Sequence, residues 1–229
     1  MRGTIVNVIA VLLGSGIGLA VGNRLPARLQ QIITTALGLS TLLIGMQMAL
    51  KVQNMLVVIA SMVMGGVLGE WLGIETGLER TAEWLKGWAR SGSGSFVTGY
   101  VTASLVFCVG PMTILGSIQE GISGDARIIY TKSLLDGAAS VAFASSLGVG
   151  VSFAAVTVLV IQGALTLLGA QLAFMLRPEI VNELTATGGL LIVAIGLLLL
   201  EVKRLRVANL LPALVMAVVL TAARLSVGW

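Results

Sequence analysis

Long apolar runs almost free of charge recur from one end of this chain to the other, over residues 4–22, 31–50, 55–72, 96–118, 128–148, 151–176, 184–200 and 207–223. Lipid offers no partner to a backbone N–H or C=O, so a segment crossing it must satisfy those groups itself; as a helix it needs roughly 20 apolar residues. Of the 229 residues 57% are hydrophobic and 10% charged, with a mean hydropathy of +1.02. Soluble domains are only about 45–50% apolar. The chain therefore reads as an all-α polytopic membrane protein, a bundle of seven or eight transmembrane helices whose fourth and last runs each contain a proline. Met1-Arg2 ahead of the first run and Ala20-Val21-Gly22 at its end have the form of a secretory leader. That run is long enough to span and recurs in the second half, so it reads as the first transmembrane helix.

Composition also excludes function classes. The net charge is +4, but the 14 Lys and Arg residues are scattered singly through the loops, which fits topology signals and contacts with the lipid bilayer and not a nucleic-acid footprint. Eight of them (Arg24, Arg28, Arg80, Lys86, Arg90, Lys203, Arg204, Arg206) fall on one side and six on the other, a slight excess that points both termini outward and is near enough to parity to allow dual orientation. Cys108 is the single cysteine, so there is no intramolecular disulfide and no thiolate metal cluster. The absence of histidine removes histidine-based metal sites, proton relays and triads, and nothing implies a cofactor. An intramembrane aspartyl protease needs two aspartates at membrane depth; Asp125 and Asp136 are the two present, and Asp125 sits in a Gly-rich turn. The chain is not expected to be an enzyme.

Residues 70–90 are the one densely charged stretch. Leu78, Thr81, Leu85 and Trp88 recur at helical spacing against Glu79, Glu83, Lys86 and Arg90, which predicts either an amphipathic helix lying in the membrane interface or an ordinary solvated loop helix. The Ser/Gly run 91–95 follows as a linker. A weak internal repeat lies beneath this division. Arg24-Leu25-Pro26 precedes a run with Gly38 and Gly45, Arg177-Pro178 precedes one with Gly189 and Gly196, and both glycine pairs are seven apart. Three spans thus recur as three, inverted if the intervening segment crosses twice, an architecture common among secondary transporters. The chain divides into 1–90 (first repeat plus interfacial helix), 96–148 (a central pair) and 149–229 (second repeat).

Two features of the central pair are costly in lipid. Pro111 lacks the N–H that the Phe107 carbonyl would receive in a continuous helix, and Gly110 frees the chain to turn. Either the helix breaks there, leaving a half-helix whose positive N-terminal end faces a cavity, or it kinks and is repaired by its neighbours. Thr113, Gly116, Ser117 and Glu120 share one face beyond the break. Asp136 lies in an otherwise uncharged run, with Lys132 one turn before it and Ser133 and Ser140 on the same strip. A charge at such depth costs roughly 2.5–3.5 kcal/mol and needs a partner or water. The pair either locks two helices or serves a solute or ion. Elsewhere Gly14, Gly18 and Gly22, and Ser61, Gly65 and Gly69, form small-residue ridges of the kind that pack helices within or between subunits.

The run from Phe107 through Gly110-Pro111-Met112-Thr113 to Gly121, the segment Tyr130-Thr131-Lys132-Ser133-Leu134-Leu135-Asp136-Gly137 and the opening Gly3-Thr4-Ile5-Val6-Asn7 resemble a bacterial family of inner-membrane proteins, domain of unknown function 554. The resemblance covers essentially the whole chain and implies a multi-pass inner-membrane protein and a candidate transporter without an assigned substrate. From the residues themselves the expected function is passage of a small solute or ion through a central pathway at Gly110-Pro111. Asp136 and Lys132 supply charge there, Thr113, Ser117 and Ser140 supply oxygens, and the half-helix end at Gly110 holds an anionic group. The alternative is a non-transporting scaffold, a homo-oligomer or partner-gathering protein built through the glycine ridges and interfacial helix.

Overall fold

The structure, a computed structural model, describes residues 1–22, 24–88, 95–203 and 205–227. Arg90, positions 91–94 of the linker, Arg204 and the Trp88 side chain lie outside the described residues. The described residues form ten α-helices and no strand: α1 (Arg2–Gly22), α2 (Ala27–Ala49), α3 (Met55–Leu72), α4 (Ile74–Trp88), α5 (Phe96–Val109), α6 (Pro111–Ser123), α7 (Arg127–Leu147), α8 (Gly150–Leu167), α9 (Pro178–Leu199) and α10 (Pro212–Val227), with 3-10 turns at Ala173–Leu176 and Val207–Leu210. Six helical segments are long and apolar enough to cross a membrane, and the pair α5–α6, bent by 58°, makes a seventh. With 21 residues α7 is equally long, but Lys132, Asp136 and its serines make it too polar for that set.

The run 96–118 is thus two helices. The run 151–176 is also interrupted: α8 ends at Leu167, where Gly169 lies against the Gly121 backbone and the Ile118 carbonyl. The run 184–200 begins earlier, at Pro178, because proline at a first helical position forgoes no helical hydrogen bond. Pro212 starts α10 in the same way, after a 3-10 turn. In α4 Leu85 is buried and Leu78 half-buried, as expected, while Ala82 is buried in place of Thr81, which is exposed.

The contacts resolve two units that interleave along the chain, residues 1–37 with 79–173 and residues 38–78 with 174–229. In the first unit α1 turns Thr4, Asn7, Val11, Gly14, Ser15, Gly18 and Gly22 inward and Ile5, Ile9, Leu12, Leu13 and Ile17 outward. This reverses the pattern of a soluble helix, since lipid is as apolar as leucine and only small or polar residues profit from helix contact. Gly14 lies on the Gly137 carbonyl, Gly18 on that of Val141 and Gly22 on that of Ser145, so α1 and α7 advance together and run parallel. Helix α5 runs along α8 through Phe96 and Phe153, whose ring centroids are 5.3 Å apart, and through Thr157 Oγ1, which takes Ser104 Oγ at 3.0 Å and meets the Tyr100 hydroxyl at 2.9 Å. Helices α5 and α6 together follow α8 in the same direction, with Gly150 on the Phe96 carbonyl at one end and Gly121 on that of Thr166 at the other.

In the second unit α9 is the most buried of the candidate spans. Residues 38–49 of α2 lie antiparallel to it, with Gly38 on Leu200, Leu42 on Gly196, Gly45 on Val193 and Ala49 on Gly189. Helices α3 and α10 are likewise antiparallel, Gly65 on Ala213 and Gly69 on the Asn209 carbonyl. A polar clamp closes that end: Asn209 Nδ2 donates to Glu70 Oε2 at 2.6 Å, Asn209 Oδ1 accepts from the Glu75 N–H at 2.7 Å, and Arg206 pairs with Glu70.

Candidate functional site

The break at Gly110 is built locally. Gly110 is extended (φ −70°, ψ 149°) and Pro111 is the first residue of α6. The Phe107 carbonyl, deprived of a partner by Pro111, instead accepts the Thr113 hydroxyl at 2.8 Å. Thr113 therefore spends its proton on repairing the backbone at the bend. The strip beyond it is buried: Thr113, Gly116, Ser117 and Glu120 all face inward, and Gly116 sits against Ile128 and Ile129 of α7.

On α7, Lys132 and Asp136 form an ion pair one turn apart, with side chains 5% and 11% exposed. Asn7 of α1, which the sequence reading did not single out as a site residue, donates from Nδ2 to Asp136 Oδ2 at 2.9 Å. Lys132 Nζ bonds the same oxygen, so Oδ2 carries both bonds and Oδ1 neither. Helices α5 and α6 both pack on α7, and Gly116 lies on Ile129, one turn before Lys132, which sets the pair near the α5–α6 break. Ser133 donates to the Ile129 carbonyl at 2.7 Å, whereas Ser140, one turn beyond Asp136, has a buried hydroxyl without a partner. Asn7 Oδ1 and the hydroxyls of Thr4, Ser15, Thr102 and Ser117 are also buried and unpartnered. Such atoms in a dry interior cost free energy unless something else satisfies them.

Glu120 is brought elsewhere. Its Oε1 accepts the Gly3 N–H at 2.9 Å and the Met1 amino group at 2.8 Å, tying the start of α1 to α6. The ridges are filled within the chain: Gly14, Gly18 and Gly22 by α7, and Gly65 and Gly69 by α10 and the turn before it; Ser61 is buried and donates to the Val57 carbonyl at 2.6 Å. Gln162 and Glu183 are among the buried polar residues, besides Asn7, that the sequence analysis does not single out. Gln162 of α8 is fully buried with both side-chain heteroatoms unpartnered. Glu183 of α9 accepts the N–H groups of Gln53 (3.2 Å) and Asn54 (2.6 Å) with Oε1 and leaves Oε2 unpartnered. A single polar residue inside an apolar run would have marked Asn7 and Gln162. Glu183 lies just outside the uncharged apolar run 184–200, where a charge reads as part of a loop.

A bundle of long apolar helices with small and polar residues turned inward and leucine, isoleucine and valine turned outward defines a polytopic α-helical membrane protein. Within that class, residues 2–222 match the family described as protein of unknown function, DUF554. The chain belongs to that family. It is 33% identical over 226 residues to the uncharacterized protein YqgA of Escherichia coli (strain K12), covering 96% of each chain. It is 29% identical over 218 residues to the uncharacterized membrane protein YdfK of Bacillus subtilis (strain 168), covering 93% of each. No solved structure matches the chain.

Proposed function

We propose that the protein passes a small solute or ion across the bacterial inner membrane, through a pathway at the α5–α6 break with Asp136 and Lys132 as its charged groups. The observation that carries this reading is a buried carboxylate with one open oxygen, beside a broken span and among unpartnered hydroxyls. An ion pair that merely locked helices has no use for leftover acceptors, and Ser117, on the strip beyond the bend, keeps a buried hydroxyl that no partner takes. In this reading Ser117 and Ser140 contribute oxygens, and Thr113 holds the bend that opens the path.

The internal repeat supports the same reading. The repeat pairs Gly38 with Gly189 and Gly45 with Gly196, and these four glycines lie in one antiparallel interface of α2 with α9. Antiparallel packing of matched segments is what an inverted arrangement, with its two-fold axis perpendicular to the helices, calls for, and this supports the inversion as part of the proposal. The matched helices α3 and α10 pack antiparallel as well, and α1 packs on α8. Inverted repeats of this kind carry alternating access in many transporters. The scaffold alternative is weakened because the ridges it would use are occupied within the chain.

Liposomes containing the purified protein test the reading. Labelled ions and small solutes should cross faster than in protein-free liposomes, and Asp136→Asn should abolish the difference. If no species in a broad panel crosses faster, the passage reading is wrong.

A further inference from the structure

We infer that Gln162 stands at the centre of a buried binding site, between α1, α6 and α8, for a small neutral hydrogen-bonding molecule, of which water is the smallest. The site shares Ser117 with the pathway proposed above but does not depend on anything being transported.

The starting point is the amide of Gln162. It is fully buried, and neither its oxygen nor its nitrogen has a partner among the described residues. An amide offers two N–H donors and an acceptor oxygen, so leaving all of them unmet in a dry interior is among the costliest arrangements open to a neutral side chain. Packing alone has no use for it, because an apolar side chain of the same shape fills the space without that cost.

Neighbouring atoms are in the same condition. Ser117 Oγ, Glu120 Oε2, Thr166 Oγ1 and Thr4 Oγ1 are also buried and unpartnered. Packing brings their helices to one level. A Cβ on Gly121 would lie 2.1 Å from the Thr166 carbonyl oxygen and one on Gly169 would lie 2.9 Å from that of Ile118, which sets residues 118–121 of α6 beside 166–169. The two helices run in the same direction, so one turn back residues 114–117 fall beside 162–165. Ser117 and Glu120 are on the buried face of α6, and Gln162 and Thr166, four apart, share the buried face of α8. The start of α1 closes the same level from a third side. Glu120 Oε1 accepts the Gly3 N–H at 2.9 Å, and Met1 Cε lies 3.6 Å from the position a Cβ on Gly163 would take.

The chemistry of these groups sets the class of occupant. The amide and the hydroxyls are neutral, and together they both donate and accept. Glu120, the one charged group among them, already holds the Met1 amino group at 2.8 Å. An ion would therefore enter without a counter-charge, which a low-dielectric interior penalises. A neutral molecule with donors and acceptors brings no such cost, and each bond that it makes satisfies a buried atom. The lining residues are at most 6% exposed, so the occupant is enclosed and small.

The test uses the full-length protein with Cys108→Ala as background, and two readouts. Gln162→Met keeps the bulk and removes the amide. Loss of an amide that is bonded to an occupant should lower the melting temperature, whereas loss of a dry one relieves its cost; a melting temperature at or above that of the background overturns the site. The second readout is labelling in liposomes with 2-aminoethyl and 2-sulfonatoethyl methanethiosulfonate, which attack a thiol where water lets it ionise. Gln162→Cys and Thr166→Cys should react, and Val160→Cys, 60% exposed on the lipid side of α8, should not. Size-exclusion profiles confirm that the variants are folded. Reaction at neither 162 nor 166, or equal reaction at 160, overturns the site. Relative to the exposed Ser123→Cys, the two reagents should label the site alike. A preference of about tenfold or more for one sign of charge overturns the neutral class in favour of an ion.

Discussion

Asn7 Nδ2 and Asp136 Oδ2, 129 residues apart in sequence, are 2.9 Å apart in the structure. This bond joins α1 to α7 at the buried Lys132–Asp136 pair, along an interface where Gly14, Gly18 and Gly22 lie on backbone carbonyls of α7. The position of a charge in the membrane is therefore set by a neutral side chain on another helix.

The Lys132–Asp136 pair should behave differently in stability and in function. Removing one member of a buried pair strands the other, at about 3–5 kcal/mol. Asp136→Asn should accordingly lower the melting temperature strongly, and the double variant Lys132→Met/Asp136→Asn should recover most of the loss. Transport should be absent from both. Recovery of flux together with stability would reduce the pair to a helix lock.

Much of this was legible in the sequence, for reasons that differ from residue to residue. The site of the interruption at Gly110-Pro111, left open between a break and a kink, and the Lys132–Asp136 register follow from local rules, because proline lacks an N–H and residues four apart share a helix face. Asn7 was not recognised as a partner, since nothing local connects residue 7 to residue 136. The role of Thr113 was missed for a subtler reason: the orphaned Phe107 carbonyl was foreseen, but a hydroxyl two residues beyond Pro111 was read as a ligand oxygen, when its geometry makes it the donor that replaces the missing N–H. The ridges were visible as glycine spacing, whereas the identity of the helices that fill them depends on long-range packing.

Thr113 gives a clean test of how the bend is held. Thr113→Val keeps the shape and deletes the donor to the Phe107 carbonyl, at about 1–3 kcal/mol for a buried unsatisfied group. Thr113→Ser should stay near wild type. In a Pro111→Ala background the restored N–H can serve the same carbonyl, so Thr113→Val should cost much less there. Equal costs in both backgrounds, read from melting curves, would show that the hydroxyl does not substitute for the missing N–H.

Gly18 and Leu13 separate packing from lipid contact on one helix. A Cβ on Gly18 would meet the Val141 carbonyl and lie 2.9 Å from Ala144 Cβ, whereas Leu13 is 64% exposed. Gly18→Leu should lower the melting temperature sharply and broaden the size-exclusion profile, because two backbones must separate to admit it. Leu13→Ala should leave both nearly unchanged. Matching behaviour of the two variants would mean that the ridge does not carry the α1–α7 contact.

Asp125 offers a titration outside the spans. Hydrogen bonds from the Arg127 side chain and backbone, at 3.0 Å each to Oδ1, hold its carboxyl below the ordinary value of 3.8. A depressed carboxyl contributes order that is present above its unfolded value and lost as pH falls through the folded one. Hydrogen exchange at the start of α7 should therefore accelerate only below about pH 4, and Asp125→Asn should remove that acid-side change. Acceleration beginning near neutrality would point to a different group.

Glu183 tests whether a buried carboxyl acts as acceptor or as charge. Its Oε1 receives the N–H groups of Gln53 and Asn54 just before α3, where the first turn of a helix leaves donors without partners. Glu183→Gln preserves that acceptor and removes the charge, so α3 should stay anchored and the melting temperature close to wild type. Glu183→Leu preserves bulk but orphans two N–H groups, each costing about 1–3 kcal/mol. Amide exchange over residues 53–58 should then accelerate in the leucine variant alone, since Asn54 itself still caps Leu56 and Val57 at 3.0 and 3.2 Å only while its own backbone is held. Glutamine as damaging as leucine would instead assign the anchoring to the negative charge at the positive end of α3, and the neutral acceptor would be insufficient.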